Sequence, residues 1–166
     1  MSRYVVMGVS GCGKTSIGSA FAQEVGAGFI DGDDLHPAAN VAKMARGDAL
    51  DDDDRRPWLS DIARELRTAK EPVAIGCSAL KRRYRDWIRE GVGAPVTFLH
   101  LSGSRDVIAR RMAERKDHFM PLSLLDSQFA ALEPPGPDES AITVDIDQQP
   151  DLIVAALLAA TKEERP

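Results

Sequence analysis

A glycine-rich loop with a lysine and a threonine at its end lies close to the start of the chain. Residues 8–15 read Gly-Val-Ser-Gly-Cys-Gly-Lys-Thr and follow a buried apolar run at residues 4–7. Glycines in such a loop let successive backbone N–H groups point into one concavity that can hold a polyphosphate. The Lys14 ammonium would then bridge the β- and γ-phosphates, and the Thr15 hydroxyl would bind Mg²⁺. The positive N-terminal end of the following helix adds to the attraction.

A cluster of carboxylates follows the second apolar run. Asp31, Asp33 and Asp34 fall within one short segment, where their charges repel unless a cation or a substrate hydroxyl shares them. Facing a γ-phosphate, one carboxylate would hold Mg²⁺ through water and another would orient a hydroxyl and accept its proton. The alternative is a polar turn around Gly32, with the aspartates facing water. The nearby His36 is more typical of a turn or a helix cap than of a catalyst.

Basic residues follow the third and fourth apolar runs. Lys81 and Arg85 share one helical face at a helix start, where cations are unfavourable unless an anion binds there. A second basic group comprises Arg110, Arg111, Arg115, Lys116 and His118. In a phosphotransferase, that group has the placement of a lid whose arginines neutralise charge that develops during transfer. Solvated helix faces are the alternative for some of these residues.

Two further features have simpler interpretations. The acidic run at residues 51–54 is interpreted as a solvated segment whose last member caps a helix that begins at Pro57, in preference to a metal cage. Cys12 and Cys77 are too few for a disulfide framework and lack metal-ligand spacing. We expect both to be thiols.

The elements that must position these residues form an alternating pattern. Apolar runs of strand type alternate with helical spacing, which is typical of a parallel sheet with helices on both faces. We expect strands at 3–8, 28–31, 72–77, 96–101 and 141–146. We expect helices at 14–25, 58–69, 81–90, 104–115, 122–132 and 150–162. Ligands in such sheets bind beyond the carboxyl ends of the strands, where the clusters above fall.

Length and composition set the class of protein. The chain has 166 residues, 43% hydrophobic and 28% charged, which predicts one globular domain over residues 1–166. We see no apolar stretch long enough to span a membrane and no signal peptide, so we expect a cytoplasmic protein. The net charge of −5 argues against a broad nucleic-acid-binding face.

Longer motifs in the chain are more specific than the phosphate-binding loop, which many unrelated proteins share. They occupy residues 29–37, 40, 43–44, 54–55, 57–59, 77–81, 84–86, 118–121, 124–129 and 132–133. In these motifs the chain resembles the gluconate kinases, from about residue 4 to residue 146. The departures are small: Cys12 stands where serine is common, and Thr15 replaces an equally competent serine.

The resemblance implies an activity and a fold. The activity is ATP-dependent phosphorylation of the 6-hydroxyl of D-gluconate to 6-phosphogluconate, which feeds the pentose phosphate or a related sugar-acid pathway. The fold is a three-layer α/β/α P-loop kinase fold, similar to shikimate and adenylate kinases, with a central five-stranded parallel sheet. A substrate-binding helical segment at about 36–68 and a helical lid at about 110–132 are expected, in a protein that is often a homodimer.

The resemblance also assigns roles by position. Nucleotide binding falls to Gly8, Gly11, Cys12, Gly13, Lys14, Thr15 and Ser16. Asp33 would hold the attacking hydroxyl. No acidic residue closes the third strand in the usual second magnesium-binding position, so we expect Asp31 to bind Mg²⁺ together with Thr15.

Residues that bind the sugar acid and residues of the lid complete the expected site. Arg55 resembles an arginine that binds the acid group of the substrate. We add His36, Lys43, Lys81 and Arg85 to this pocket. Arg111 and Arg115 are expected to act in the lid and in adenine stacking, with Arg115 counted as catalytic.

Other function classes share parts of this pattern. A shikimate kinase or a nucleoside monophosphate kinase would have the same loop and lid. However, residues 77–85 lack the glycine-rich turn of the former, and nothing resembles a nucleobase pocket of the latter. A regulatory GTPase would need Asn-Lys-x-Asp, which is absent. A non-enzymatic nucleotide-binding protein is an alternative only if the acidic and basic clusters are solvent-exposed surface charges with no role in chemistry.

Overall fold

The sheet has the predicted strands in a parallel arrangement. A computed structural model describes residues 1–114 and 122–163, with the backbone alone at residue 163. The strands are β1 (Arg3–Met7), β2 (Gly28–Asp31), β3 (Val73–Gly76), β4 (Thr97–Ser102) and β5 (Ala141–Asp145). Their order is β2-β3-β1-β4-β5, and every neighbouring pair is parallel. The predicted five-stranded parallel sheet is confirmed, with each strand end within one residue of its expected place.

Helices connect the strands and cover both faces of the sheet. They are α1 (Lys14–Val25), α2 (Ala38–Ala45), α3 (Asp52–Thr68), α4 (Arg82–Val92), α5 (Arg105–Glu114), α6 (Leu122–Ala131) and α7 (Pro150–Glu163). A short 3-10 turn, Gly32–Leu35, follows β2. Within the described residues, none of these helices has the length and apolar character needed to cross a bilayer.

Alternation along the strands divides the core between the two faces. Val5 and Ile75 face one side, where they pack with Trp58 of α3 and Ile88 of α4. Val6 and Leu99 face the other side, which α1 and α7 cover with residues such as Phe21 and Leu157. Period-two alternation puts successive side chains on opposite faces, so a strand buried on both faces reads as a continuous apolar run.

Helix α3 begins earlier than expected. Asp51 is its N-cap, because the Asp51 carboxylate accepts from the Asp54 N–H (2.7 Å) and the Asp54 carboxylate accepts from the Asp51 N–H (2.9 Å). This reciprocal capping box satisfies two N–H groups. The predicted start at Pro57 was wrong: Pro57 lies inside the helix, and its missing N–H leaves only the carbonyl of exposed Asp53 without its helical partner.

Candidate active site

The phosphate-binding loop lies between β1 and α1 and packs closely on the sheet. Gly8 and Gly11 have φ values of 148° and 85°, which side chains other than glycine rarely adopt. A Cβ atom at Gly8 would come within 2.8 Å of the Leu101 carbonyl oxygen. A Cβ atom at Gly11 would come within 2.6 Å of Met112. The glycines therefore let the loop sit against β4 and α5.

Lys14 crosses the loop from the first turn of α1. Its Nζ donates to the carbonyl oxygens of Gly8 (3.0 Å) and Val9 (3.1 Å). These two acceptors hold the ammonium against the backbone of the loop, and its contact with the β- and γ-phosphates stays a prediction. Thr15 and Ser16 follow as exposed residues at the N-terminal end of α1.

Cys12 contributes to this loop differently from the other expected nucleotide-binding residues. Its side chain is 0% exposed and belongs to the apolar core cluster beneath the loop. The thiol lies against Gly8, since a Cβ atom there would approach the Cys12 sulfur to 2.6 Å. A bound phosphate would therefore meet the backbone of Cys12 and not its thiol.

The acidic turn after β2 meets the phosphate-binding loop. Asp31 caps the 3-10 turn, with Oδ1 accepting from the Asp33 N–H at 3.0 Å. The Thr15 hydroxyl donates to Asp31 Oδ2 at 3.4 Å. A hydroxyl and a carboxylate side by side suit Mg²⁺, which takes few protein ligands and completes its shell with phosphate and water. Within the described residues no group of three or more His, Cys, Asp or Glu side chains is placed to hold a metal.

The buried Cys77 thiol at the end of β3 marks where charges of the site converge. Its pKa is raised to about 12, mainly by burial and also by the Asp33 charge, against the opposing effects of a backbone hydrogen bond at Ala79 and the charges of Lys14 and Arg55. Lys14 begins α1 after β1 and Asp33 lies in the 3-10 turn after β2, so both follow carboxyl ends of strands, and the charge of Arg55 on α3 also acts on the same thiol. The carboxyl end of the sheet therefore gathers the expected proton acceptor, the phosphate-binding lysine and the expected acid-binding arginine.

A cavity of about 640 Å³ opens beside this point. Its wall includes Asp52, Arg55, Lys81, Tyr84, Trp87 and Gln128. Arg55 is 8% exposed, and its Nε is buried without a hydrogen-bond partner among the described residues. The guanidinium carbon lies 5.3 Å from the centre of the Tyr84 ring. A buried donor without a partner is costly, and an anionic ligand in the cavity would supply one.

Asp52 organises the cavity wall, a role that the sequence analysis missed. Its carboxylate accepts from the Tyr84 hydroxyl (2.5 Å), Lys81 Nζ (3.3 Å) and Arg83 Nη1 (2.5 Å). The Tyr84 hydrogen bond lowers its pKa most, burial opposes that change, and Lys81 and Arg83 help to bring the pKa to about 2. Asp52 therefore stays ionised and holds Lys81 at the cavity. The Asp-x-x-Asp capping pattern at residues 51–54 was the signal that α3 begins here.

His36 follows the 3-10 turn and lies near the start of α3 through Asn40, whose amide nitrogen also donates to the Asp54 carbonyl at 2.8 Å. Its ring stacks on Trp58 at 3.9 Å between centroids, and the Trp58 indole N–H donates to the Gly32 carbonyl at 2.8 Å. The Asn40 amide nitrogen lies 3.2 Å from His36 Nδ1, which therefore accepts, leaving the proton on Nε2. Burial and then the charge of Arg55 lower the His36 pKa to about 4. His36 is thus a neutral hydrogen-bond donor at neutral pH.

Lys43 has a different partner from the one expected. Its Nζ donates to Asp54 at 2.7 Å, and that hydrogen bond is the main cause of a raised Lys43 pKa. Asp54 is also part of the capping box of α3. Lys43 therefore joins α2 to the start of α3, and its contact with a substrate stays a prediction.

Arg85 corrects the expectation that it binds substrate. Its side chain is 0% exposed, and Nε and Nη2 donate to Glu139 at 2.7 and 3.1 Å. Its remaining donors reach the carbonyls of Ala79, Leu80 and Glu133. All five N–H groups of a guanidinium are thereby occupied. Arg85 instead holds the turn at Ala79, whose φ of 43° is strained for a residue with a side chain.

The expected lid residues fall partly outside the described residues. Arg111 donates to the carbonyls of Ile146 and Gln148, so it fastens α5 to the segment after β5. Arg110 is exposed and lies 3.8 Å from Asp147. Arg115 and His118 lie outside the described residues.

Gln128 is a second residue that the sequence analysis missed. Its Oε1 accepts from the Ser10 N–H at 2.6 Å, and its Nε2 donates to the Ser10 hydroxyl at 3.0 Å. These contacts join α6 to the phosphate-binding loop across 118 residues of sequence. Gln128 stands in a motif used for the resemblance, but a lone glutamine on a helix carries no chemical signature that would single it out.

Comparisons with known proteins agree with this geometry. A family model described as an AAA domain matches residues 4–135. The thermoresistant gluconokinase of Escherichia coli K12 is 44% identical over 164 residues, covering 96% of this chain and 93% of that protein. The crystal structure of a gluconokinase from Sinorhizobium meliloti 1021 superposes with a TM-score of 0.92 at 47% identity, over 98% of this chain and 92% of that one.

A more distant neighbour shares the fold alone. The shikimate kinase from Bacteroides thetaiotaomicron superposes with a TM-score of 0.68 at 20% identity, over 97% of this chain and 98% of that one. The expected P-loop kinase fold is thereby confirmed. With a phosphate-binding loop, an acidic turn and a cationic cavity at one end of the sheet, and with near full-length relatives above 40% identity, this chain belongs to the gluconokinase family.

Proposed function

We propose that this protein transfers the γ-phosphoryl group of ATP to the 6-hydroxyl of D-gluconate, giving 6-phosphogluconate and ADP. The observation that carries the choice of acceptor is Arg55, which is almost fully buried in the cavity wall and whose Nε lacks a partner in the part of the chain that the structure describes. A carboxylate at the far end of a six-carbon polyol supplies that partner. Lys81 adds a second positive charge to the same wall.

The residues at the carboxyl end of the sheet divide the phosphoryl transfer among them. The backbone N–H groups of the loop bind the polyphosphate, and Lys14 neutralises charge that develops on the transferring group. Asp33 orients the 6-hydroxyl and accepts its proton as the oxygen attacks. Thr15 and Asp31 would hold Mg²⁺, whose positive charge would help to neutralise the polyphosphate.

The substrate and lid segments complete the proposal. Residues 36–68 carry the polyol-binding side chains, with the neutral His36 donating through Nε2 to a substrate hydroxyl. Arg111 near the nucleotide and Arg115 at the transferring group are assigned to a lid over about residues 110–132. The protein is assigned to the cytoplasm as a homodimer, and its product enters the pentose phosphate or a related sugar-acid pathway.

A substrate panel tests the proposal. ATP turnover is coupled to ADP detection with gluconate, sorbitol and shikimate as acceptors. Sorbitol has the hydroxyls but lacks the carboxylate that would pair with buried Arg55, which costs roughly 2–5 kcal/mol. That corresponds to a kcat/KM about 30- to several-thousand-fold below that of gluconate. Equal use of sorbitol, or a preference for shikimate, would overturn the assignment.

A further inference from the structure

The wall of the acid-binding cavity is tied directly to the phosphate-binding loop through Gln128. Gln128 is one of the residues that line the cavity, together with Arg55 and Lys81. The same amide makes both hydrogen bonds to Ser10, one to its backbone N–H and one to its hydroxyl. One residue thus borders the space assigned to the acid and contacts the loop assigned to ATP.

The contact continues to the phosphate-binding lysine. Ser10 follows Val9 in the chain, and the carbonyl oxygens of Gly8 and Val9 are the acceptors that hold Lys14 Nζ. A shift of Ser10 therefore moves one of the carbonyls that position the ammonium. On the far side of the loop, Gly11 packs against Met112 of α5. The tip of the loop is consequently held between α5 and α6.

Helix α6 is itself fixed at the positions around Gln128. Leu125 is fully buried in the core cluster that also contains Val9 and Cys12. Asp126 pairs with Arg105 of α5 at 2.5 Å. Because neither end of the Gln128 contact is loose, a change in the position of α6 is passed to Ser10 and not absorbed by a flexible segment.

We propose that Gln128 is a positioning residue that couples occupancy of the acid-binding cavity to the polyphosphate affinity of the loop. A ligand that fills the cavity restrains Gln128, which restrains Ser10 and the carbonyls that hold Lys14. By linkage, ATP must tighten the binding of the acid by the same factor as the acid tightens ATP. The inference rests on the proposed function, because it takes gluconate as the occupant of the cavity.

Calorimetry on the full chain measures this coupling. The dissociation constant of a non-hydrolysable ATP analogue with Mg²⁺ is determined with and without saturating gluconate, and the reverse titration is also made. We expect gluconate to tighten the analogue at least about fivefold in the unmodified protein. Gln128→Met removes both hydrogen bonds at similar side-chain length, and the factor should fall to about 1.

A double-mutant cycle separates this contact from a general loss of structure. Ser10→Ala removes the hydroxyl but keeps the N–H, so it should lose part of the coupling. The double variant S10A/Q128M should match Gln128→Met, because the hydroxyl has no partner once the amide is gone. Gln23→Met makes the same change at an exposed position of α1 and should leave the coupling factor unchanged.

The outcomes distinguish this inference from the proposed function. A protein that phosphorylates gluconate but shows a coupling factor of 1 overturns this inference alone. So does an unchanged factor in Gln128→Met, or strictly additive effects of the two substitutions. A protein that neither binds nor phosphorylates gluconate overturns the inference together with the proposed function.

Discussion

Two buried arginines flank Tyr84, and they serve opposite purposes. Arg85 has every donor occupied, by Glu139 and by three carbonyl groups. Arg55 is almost as deeply buried, yet its Nε has no partner among the described residues. The desolvation of Arg85 is offset by hydrogen bonds within the fold, whereas Arg55 has a cation–π contact with Tyr84 and keeps one buried donor, Nε, for a bound anion. Burial alone therefore does not distinguish a structural cation from a binding cation, and the count of satisfied donors does.

The largest effect should come from replacing Arg85, the arginine whose donors are all occupied. Arg85→Met leaves the Glu139 carboxylate buried with only Arg89 and a backbone N–H as donors, and we expect the free energy of unfolding to fall by about 3–5 kcal/mol. Denaturant unfolding followed by circular dichroism measures it. If the single variant does not fold, the double variant R85M/E139M should recover part of the loss, because no unpaired charge stays buried. A stability equal to that of the unmodified protein would contradict the distinction.

Replacing Arg55 should show the reverse pattern, with a large effect on catalysis and a small effect on stability. Arg55→Met should lower kcat/KM for gluconate by roughly 30-fold or more, about 2 kcal/mol, mainly through KM. The KM for ATP and the free energy of unfolding should stay close to their original values, because no internal hydrogen bond of Nε is lost. Arg64→Met provides the control on the same helix, since that side chain is 59% exposed and pairs only with Asp61. A large loss of stability in Arg55→Met would show that Arg55 is structural after all.

Acid should weaken the Arg85 network, because the Glu139 carboxylate that Arg85 binds must stay ionised. Burial would raise the pKa of Glu139, but hydrogen bonds from Arg85, Arg89 and Gly136 outweigh it and lower the pKa to about 2. A carboxyl group whose folded pKa lies below its ordinary value of 4.5 stabilises the fold above pH 4.5 and loses that contribution as the pH falls towards 2. The slope is at most about 1.4 kcal/mol per pH unit for one proton. Glu139→Gln should show a shallower slope of unfolding free energy over the same range.

The smallest effect should come from Asp52, whose carboxylate joins the start of α3 to Lys81 and Tyr84 in the cavity wall. Asp52→Asn keeps the shape of the side chain but removes the negative charge that holds Lys81 and Tyr84. Lys81 is 33% exposed, so we expect a loss of about 1 kcal/mol, seen as a severalfold higher KM for gluconate. Asp61→Asn on the exposed part of α3 should leave the KM unchanged. An unchanged KM in Asp52→Asn would remove Lys81 from the binding wall.

Sequence reasoning recovered the sheet because its signals are local. The apolar runs, the glycine loop and the carboxylates after β2 each lie within a few consecutive residues. The distinction between Arg55 and Arg85 is not local, since the Glu139 that satisfies Arg85 is 54 residues away. The start of α3 was missed because Pro57 is favourable at a first helical position, yet it is also tolerated inside a helix where the affected carbonyl is exposed to water. Gln128 was missed because its partner lies across 118 residues.

The stacking of His36 on Trp58 gives the protein an intrinsic fluorescence probe. Trp58 is 1% exposed, its indole N–H is hydrogen-bonded to the acidic turn, and its ring faces an imidazole beside Arg55. An acid that binds Arg55 changes the electric field at this indole, so the emission of Trp58 responds to occupancy of the cavity without any added label. The protein contains two tryptophans, and Trp87 lies on the same cavity wall. Replacing Trp87 with phenylalanine isolates the Trp58 signal, so that substrate binding can be followed by fluorescence in real time.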